Sequence, residues 1–201
     1  MAHSDHDRTW NSGIEKRRVT GPVPAGLTNL AGDGQADLIH HGGVDKAIYC
    51  YPAEHYPVWR GELGLPDLPF GGLGENFTTA GLLEEQVCIG DTWQIGGAVV
   101  QVSQPRRPCY KLNLLWSVPD LDARVDASRR CGWYLRVLQP GSVEAGQAFV
   151  LIERPAPEWN IDRVYAIAQD IHAHSSDAIA LLDLEVLSAD WRAGIKSNLK
   201  E

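Results

Sequence analysis

The sequence lacks long apolar runs. No stretch of its 201 residues approaches the roughly 20 consecutive apolar residues that a membrane-spanning helix needs. The polar N-terminal stretch MAHSDHDRTWNSG has no apolar core of the kind that a secretory signal carries. With 44% hydrophobic and 22% charged residues, the composition is that of an ordinary globular protein. We therefore expect no membrane partner and a cytoplasmic location.

An excess of positive charge is also missing. The chain has 18 lysine and arginine residues against 26 aspartate and glutamate residues, which gives a formal net charge of −8. Because contacts to nucleic-acid phosphates need a basic face, this composition argues against a nucleic-acid partner. A phosphorylated small molecule is still compatible with the composition if cations are gathered locally.

Cysteine is scarce, and none of the four cysteines forms a C-x-x-C pair. This spacing argues against zinc-ribbon and thioredoxin-like sites, and disulfides are unexpected in a reducing cytosol. Cys50, Cys88 and Cys131 lie in apolar or strand-like stretches, where a buried free thiol is expected. Cys109 differs, because its stretch QPRRPCYKL surrounds it with prolines and cations.

Short strands broken by glycine and proline dominate the chain from about residue 19 to residue 154. The predicted strand stretches are RVTGPV, KAIYCYP, ENFTTAG, DTWQIGGAVVQVSQP, GWYLRVLQP and QAFVLIERP. In WYLRVL, Trp133, Leu135 and Val137 fall on one face, which is typical of a curved sheet with one face inward. Many short strands without regular βα alternation favour a barrel or a sandwich.

Helical patterns are few before residue 155 and frequent after it. Residues 53–63 and 119–130 predict two peripheral helices. Apolar residues then recur at helical spacing from residue 161 to 171, with Asn160 as the N-cap. SSDAIALLDL and SADWRAGIKSN, the second capped by Ser188, predict two further helices. The predicted organisation is a partly ordered leader at 1–18, a β domain at 19–156 and a small three-helix subdomain at 157–201.

The cations beside Cys109 favour its thiolate, which is the reactive and metal-binding form of cysteine. Arg106, Arg107 and Lys111 lie close to it in the sequence, and two prolines restrict the loop. Soft sulfur suits a thiophilic metal better than magnesium or calcium. A half-buried cysteine in a surface loop with solvated arginines is an equally ordinary interpretation.

Two glycine-rich stretches carry further candidate groups. In GDGQADLIHHGGVDKAIYCYP, backbone amides of the glycine pair can bind an anion and Lys46 can add a charge for phosphate. By residue type alone, a glycine turn with exposed histidines is the commoner explanation. In GGLGENFTTAG, Asn76, Thr78 and Thr79 offer amide and hydroxyl groups to a polar ligand, or form a turn with local hydrogen bonds.

Together and in this order, these stretches resemble the MOSC family, the molybdenum cofactor sulfurase C-terminal domain, and within it the YiiM-like subgroup. The segments that carry the resemblance are GDGQADLIHHGG with DKAIYCYPAEHYPVW, GENFTTAGL, VCIGD, QVSQPRRPCYKL and GWYLRVLQPGSVEAGQ. The tail from about 159 to 199 resembles the three-helix domain that often follows in this subgroup. The resemblance covers about residues 19–199 and implies a mainly β, barrel-like fold whose cleft ends at Cys109.

The resemblance implies a function for that cleft. Cys109 would ligate the molybdenum of a pyranopterin cofactor, the molybdenum cofactor, in an oxidoreductase that reduces N-hydroxylated compounds such as hydroxylaminopurine-type bases. His41, or its neighbour His40, is the expected proton donor, because histidine titrates near neutral pH. The expected cofactor-binding residues, for its phosphate and its pterin edge, are Lys46, Arg106, Arg107, Lys111, Asn76, Thr78 and Thr79, with Tyr134 and Arg136 as weaker candidates.

Nothing in the sequence resembles a flavin or nicotinamide fingerprint, so such a reductase needs an electron-donor protein of the reductase, flavodoxin or ferredoxin type. Seven tryptophans and apolar C-terminal helices permit a homodimer. The alternative function is a carrier, which holds sulfur as a persulfide on Cys109 or carries the cofactor without reductase activity. A third interpretation is an interaction module that docks through its helical tail.

Overall fold

The computed structural model describes residues 2–5, 8–35 and 42–200. Its strands are β1 (Ala2–Asp5), β2 (Arg8–Asn11), β3 (Val23–Ala25), β4 (Ile48–Pro52), β5 (Phe77–Thr79), β6 (Thr92–Ile95), β7 (Ala98–Pro105), β8 (Trp133–Gln139), β9 (Gly141–Val143) and β10 (Val150–Glu153). Its helices are α1 (His55–Leu63), α2 (Lys111–Trp116), α3 (Leu121–Ser128), α4 (Ile161–Gln169), α5 (Ser175–Leu182) and α6 (Ala189–Asn198). A single 3-10 turn at Val44–Lys46 precedes β4 in this part of the chain.

A curled six-stranded sheet forms a half-barrel at the centre of the fold. Its strand order is β10-β6-β7-β8-β4-β5, and only β4 and β5 pair in parallel among these strands. Five of the six predicted strand stretches become strands of this sheet, which confirms the mainly β prediction. In the sixth, RVTGPV, the strand begins only at Val23, because Gly21 adopts a positive φ of 80° and turns the chain before it.

The two predicted peripheral helices are present as α1 and α3. Pro57 is compatible with α1 because it lies in the first turn, where its missing N–H has no intrahelical partner in any case. Helix α2 is absent from the prediction, because its six residues are too few for a clear helical period. No helix in the described ranges combines the length and the apolar character that crossing a membrane requires.

The three helices after residue 157 are present as α4, α5 and α6. The two predicted N-cap residues are confirmed by their hydrogen bonds. The side chain of Asn160 accepts from the N–H of Arg163 over 2.8 Å, and that of Ser188 accepts from the N–H of Trp191 over 3.3 Å. These helices share one hydrophobic cluster with the sheet, in which Trp191 and Ile161 are buried together with Trp93 and Leu135. The helical tail is therefore packed on the half-barrel.

Candidate functional site

A cleft opens beside Cys109, at the end of β7. Its empty volume, counted so as to include the open mouth, is about 610 Å³. The N-terminal segment, the 3-10 turn, the loop before β5 and the loop after β7 all contribute to it. The polar groups in its described lining are Ser12, Lys16, Asp33, Gln35, Lys46, Tyr49, Asn76, Arg106, Cys109, Lys111 and Tyr134.

Cys109 is the cysteine that reaches this cleft, and it is half-buried whereas the other three cysteines are buried. Its loop joins β7 to α2 and is fixed at both ends by backbone hydrogen bonds. The N–H of Arg106 donates to the carbonyl of Gly132 over 3.2 Å, and that of Leu112 donates to the carbonyl of Cys109 over 2.9 Å. The sulfur is therefore accessible and held on a fixed backbone, as a ligand to a soft metal has to be.

Arg106 is a buried cation in the wall of the cleft. It is 5% exposed, and its Cζ lies 5.0 Å from the centroid of the Tyr49 ring. Within the described residues its Nη1 is buried without a hydrogen-bond partner. Burial opposes its charge, but Tyr49 and other ionisable neighbours outweigh this and raise the pKa of Arg106 above its ordinary value. Because a buried unused donor costs free energy, this wall favours an anionic ligand.

The cleft gathers four cations and one carboxylate in its described lining, in a chain whose net charge is −8. Two of these cations are paired. Lys16 Nζ lies 2.5 Å from Asp33 Oδ1, and Lys46 Nζ lies 2.8 Å from Asp190 Oδ2 at the start of α6. Arg106 and Lys111 have no carboxylate partner among the ion pairs of the described chain. Arg106 and Lys111 therefore give the cleft a net positive charge beside Cys109.

Glu75 organises the glycine-rich loop that forms a second wall. Its buried carboxylate accepts from the N–H of Gly71 over 2.7 Å and from that of Leu73 over 3.2 Å. The hydroxyls of Tyr56 and Thr78 donate to the same carboxylate over 2.5 and 2.8 Å. Thr78 therefore satisfies its hydroxyl locally and is not among the described residues that line the cleft.

The N-terminal segment lies against this loop and lines the cleft with Ser12, Ile14 and Lys16. A Cβ added to Gly74 would lie 3.0 Å from Ile14 Cγ1, and one added to Gly71 would lie 3.1 Å from Lys16 Cβ. Both glycines also have positive φ angles, of 88° and 87°. Glycine at these two positions therefore permits the close approach that brings the segment to the site.

Asn76 uses both ends of its amide within the protein. Its Oδ1 accepts from the N–H of Tyr49 over 2.9 Å, and its Nδ2 donates to Asp33 Oδ2 over 2.6 Å. Asp33, which also holds Lys16, is thereby fixed from two sides in the cleft. The sequence prediction missed Asp33 and Lys16, although the Asp-Gly pair in GDGQ is the signal from which Asp33 could have been found.

The structure brings Cys109, Lys46, Asn76, Arg106 and Lys111 together, with Tyr134 beside them. The other predicted residues lie elsewhere. Arg107 turns away from the cleft, with its Cζ 5.0 Å from the centroid of the Trp191 ring. Arg136 pairs with Asp45 over 2.7 Å, and Thr79 is buried. His40 and His41 lie outside the described residues.

Fold and site together define a class of protein: a β half-barrel with an accessible cysteine in a cation-lined cleft. A model of the MOSC domain matches residues 37–150, which is more than half of the chain. The chain therefore belongs to the MOSC domain family. MOSC domains in general are associated with molybdenum cofactor binding.

Relatives match over most of the chain. It is 45% identical over 184 residues to the uncharacterized protein YflK of Bacillus subtilis, covering 90% of this chain and 82% of YflK. It is 36% identical over 182 residues to the protein YiiM of Escherichia coli, covering 90% of this chain and 81% of YiiM. A Gibberella moniliformis protein named Reductase is 40% identical over 159 residues, which cover 78% of this chain but only 28% of that protein.

Solved structures agree with this assignment. The crystal structure of YiiM from Geobacillus stearothermophilus superposes with a TM-score of 0.84 at 35% identity, covering 99% of this chain and 94% of that one. The crystal structure of YiiM from Escherichia coli gives a TM-score of 0.81 at 32% identity, covering 92% and 88%. The fold is therefore that of the YiiM structures, helical tail included.

Proposed function

We propose that this protein is a molybdenum-cofactor-dependent reductase of N-hydroxylated compounds, with hydroxylaminopurine-type bases as the substrate class. The observation that carries the proposal is the meeting of an accessible thiol, Cys109, with a buried guanidinium, Arg106, whose Nη1 has no partner in the described chain. A thiol suits a soft metal, and the unused donor suits a phosphate. A relative named Reductase supports the oxidoreductase class.

The residues present fit such a cofactor. Cys109 would ligate the metal, and Arg106 with Lys111 would receive the phosphate, since neither is engaged by a carboxylate within the described residues. Asp33, fixed by Lys16 and Asn76, offers acceptor oxygens to the N–H groups of a pterin edge. When bound, the cofactor supplies two-electron redox chemistry at molybdenum.

The chain's own contribution to the reaction is positioning and proton supply. Reduction of an N-hydroxyl group takes two electrons and two protons and yields an amine and water. The electrons come from an electron-donor protein, and His41 is the proposed proton donor from its place in the motif. Tyr134, whose ring lies 5.3 Å from that of Tyr49 in the cleft, is the described side chain best placed to orient the substrate.

Protein made in a cofactor-competent cell provides the test, by metal analysis paired with an N-hydroxyl reduction assay. Cys109→Ala should lose both molybdenum and turnover, while its free energy of unfolding stays within about 1 kcal/mol of wild type, since the sulfur makes no hydrogen bond to another described residue. Cys88→Ala, a buried cysteine whose sulfur contacts the carbonyl of Pro157, is the matched control and should keep both.

Full activity in Cys109→Ala would contradict the proposal. The carrier alternative would be favoured by a different result, namely metal-free protein in which Cys109 has gained the mass of one sulfur atom.

A further inference from the structure

Two kinds of cation line the cleft, and they differ in how they are paired. Arg106 and Lys111 have no carboxylate partner among the described residues, whereas Lys46 is paired with Asp190 of α6, which is 144 positions away in the sequence. The 2.8 Å separation of Nζ and Oδ2 is that of a charge-assisted hydrogen bond. An anion that enters the cleft therefore meets Lys46, whose counter-ion comes from the helical tail.

The two partners of this pair are held unequally. The side chain of Lys46 is 11% exposed, whereas that of Asp190 is 69% exposed. Lys46 follows Asp45 in the 3-10 turn, and the carbonyl of Asp45 accepts from the hydroxyl of Ser103 on β7 over 2.6 Å. The lysine is therefore fixed at the cleft wall, and the carboxylate is the group that is free to move into water.

Release of the carboxylate leaves α6 in place. Asp190 lies in the first turn of α6, where a negative charge remains favourable beside the helix N-terminus without any partner. The helix is also anchored independently of this pair, because the N–H of Ser188 donates to the carbonyl of Ser103 over 3.0 Å. The carboxylate of Asp190 is 69% exposed and regains water when the pair breaks, so the cost on its side is small, and a bound anion replaces it as the counter-ion of Lys46.

We propose that Asp190 is a resident counter-ion that a phosphate-type anion displaces from Lys46 when it binds in the cleft. This inference rests on the anion-binding part of the proposed function. It assigns to the helical tail a role in setting ligand affinity, since α6 supplies the group with which the ligand competes. Asp190 acts through Lys46 in this scheme and touches neither substrate nor cofactor.

The experiment measures the affinity of inorganic phosphate for the cofactor-free full-length chain by titration calorimetry. Asp190→Asn should bind phosphate about two- to fivefold more tightly than wild type, the range expected when the competing partner is a mostly exposed carboxylate. Asp177→Asn is the matched control. Asp177 also lies in the first turn of a helix of the tail and pairs with Arg163 over 2.9 Å, so its substitution should leave the affinity unchanged.

A second background separates displacement from a general change in charge. In Lys46→Met, the additional Asp190→Asn substitution should have no effect on phosphate affinity, because the competing pair no longer exists. A gain that persists in this background would overturn the inference, as would an unchanged or weaker affinity in Asp190→Asn alone. Failure of wild type to bind phosphate would overturn the cleft as an anion site, and this inference with it.

Discussion

Replacing Arg106 by methionine separates the energetics of ligand binding from those of folding. Methionine keeps much of the stem volume and removes the buried charge. If the guanidinium serves an anion, the phosphate affinity should fall by the worth of a hydrogen bond to a charged group, about 1.5–3 kcal/mol. This corresponds to a loss of roughly 10- to 150-fold.

The stability of the ligand-free protein should respond differently. The variant loses the interaction with the Tyr49 ring, worth about 0.5–2 kcal/mol, and it relieves a buried donor that has no partner in the described chain, worth about 1–3 kcal/mol. These terms nearly cancel. The free energy of unfolding in urea should therefore stay within about 2 kcal/mol of wild type, far from the loss of about 3–5 kcal/mol that breaking a buried ion pair brings.

Arg163→Met is the matched control for this substitution. Arg163 lies 4.5 Å from the centroid of the Trp159 ring and pairs with Asp177 on the helical tail. Its replacement should leave phosphate affinity unchanged. If Arg106→Met unfolded the protein, or bound phosphate as wild type does, Arg106 would be a structural residue and the anion site would be wrongly assigned.

Two further predictions concern stability. Glu75→Gln should lower the free energy of unfolding, measured in urea, by about 2–4 kcal/mol, because four donors converge on the buried carboxylate. The control is Glu54→Gln, which should cost less than about 1 kcal/mol because Glu54 accepts from the N–H of Gly81 at an exposed site. Equal losses in the two variants would contradict the role of Glu75. Burial raises the pKa of the Cys131 thiol well above its ordinary value of 9.0, so the thiol ionises first in the unfolded chain and stability should fall as pH rises above 9. A thiol with an unfolded-state pKa of 9.0 and a much higher folded-state pKa lowers the stability by about 1 kcal/mol between pH 9 and 10. Over this interval Cys131→Ala should lose about 1 kcal/mol less stability than wild type, and an equal loss in the two proteins would refute the assignment.

Sequence patterns predicted the strands and the helix caps well, because both are local. Alternation in β8 placed Trp133, Leu135 and Val137 inward, and all three are buried. Asn160 and Ser188 cap helices as expected, since a cap depends on residues within one turn. Helix α2 was not predicted, because its six residues are too few to show a helical period. Packing of the buried Leu112 stabilises this short segment instead.

Some of the residues predicted for the site lie in the cleft, and others lie elsewhere. Cys109, Arg106 and Lys111 are neighbours in the sequence and share the cleft. Arg107 is equally close in the sequence, yet it stacks on Trp191. Two successive residues in an extended loop point to opposite sides, so the charge of a short stretch does not determine which side chains face a ligand.

By itself, the sequence determined that Cys109 would have arginine and lysine neighbours along the chain at the end of a strand in a mainly β protein. Adjacency along the chain is sufficient for that, and the family follows from the same stretches. Only the tertiary structure decided that Lys16 reaches the cleft from the N-terminal segment and that Asp190 pairs with Lys46 from the helical tail. Contacts between charged side chains far apart in the sequence depend on how the sheet and helices pack, and they leave no periodic pattern in the chain.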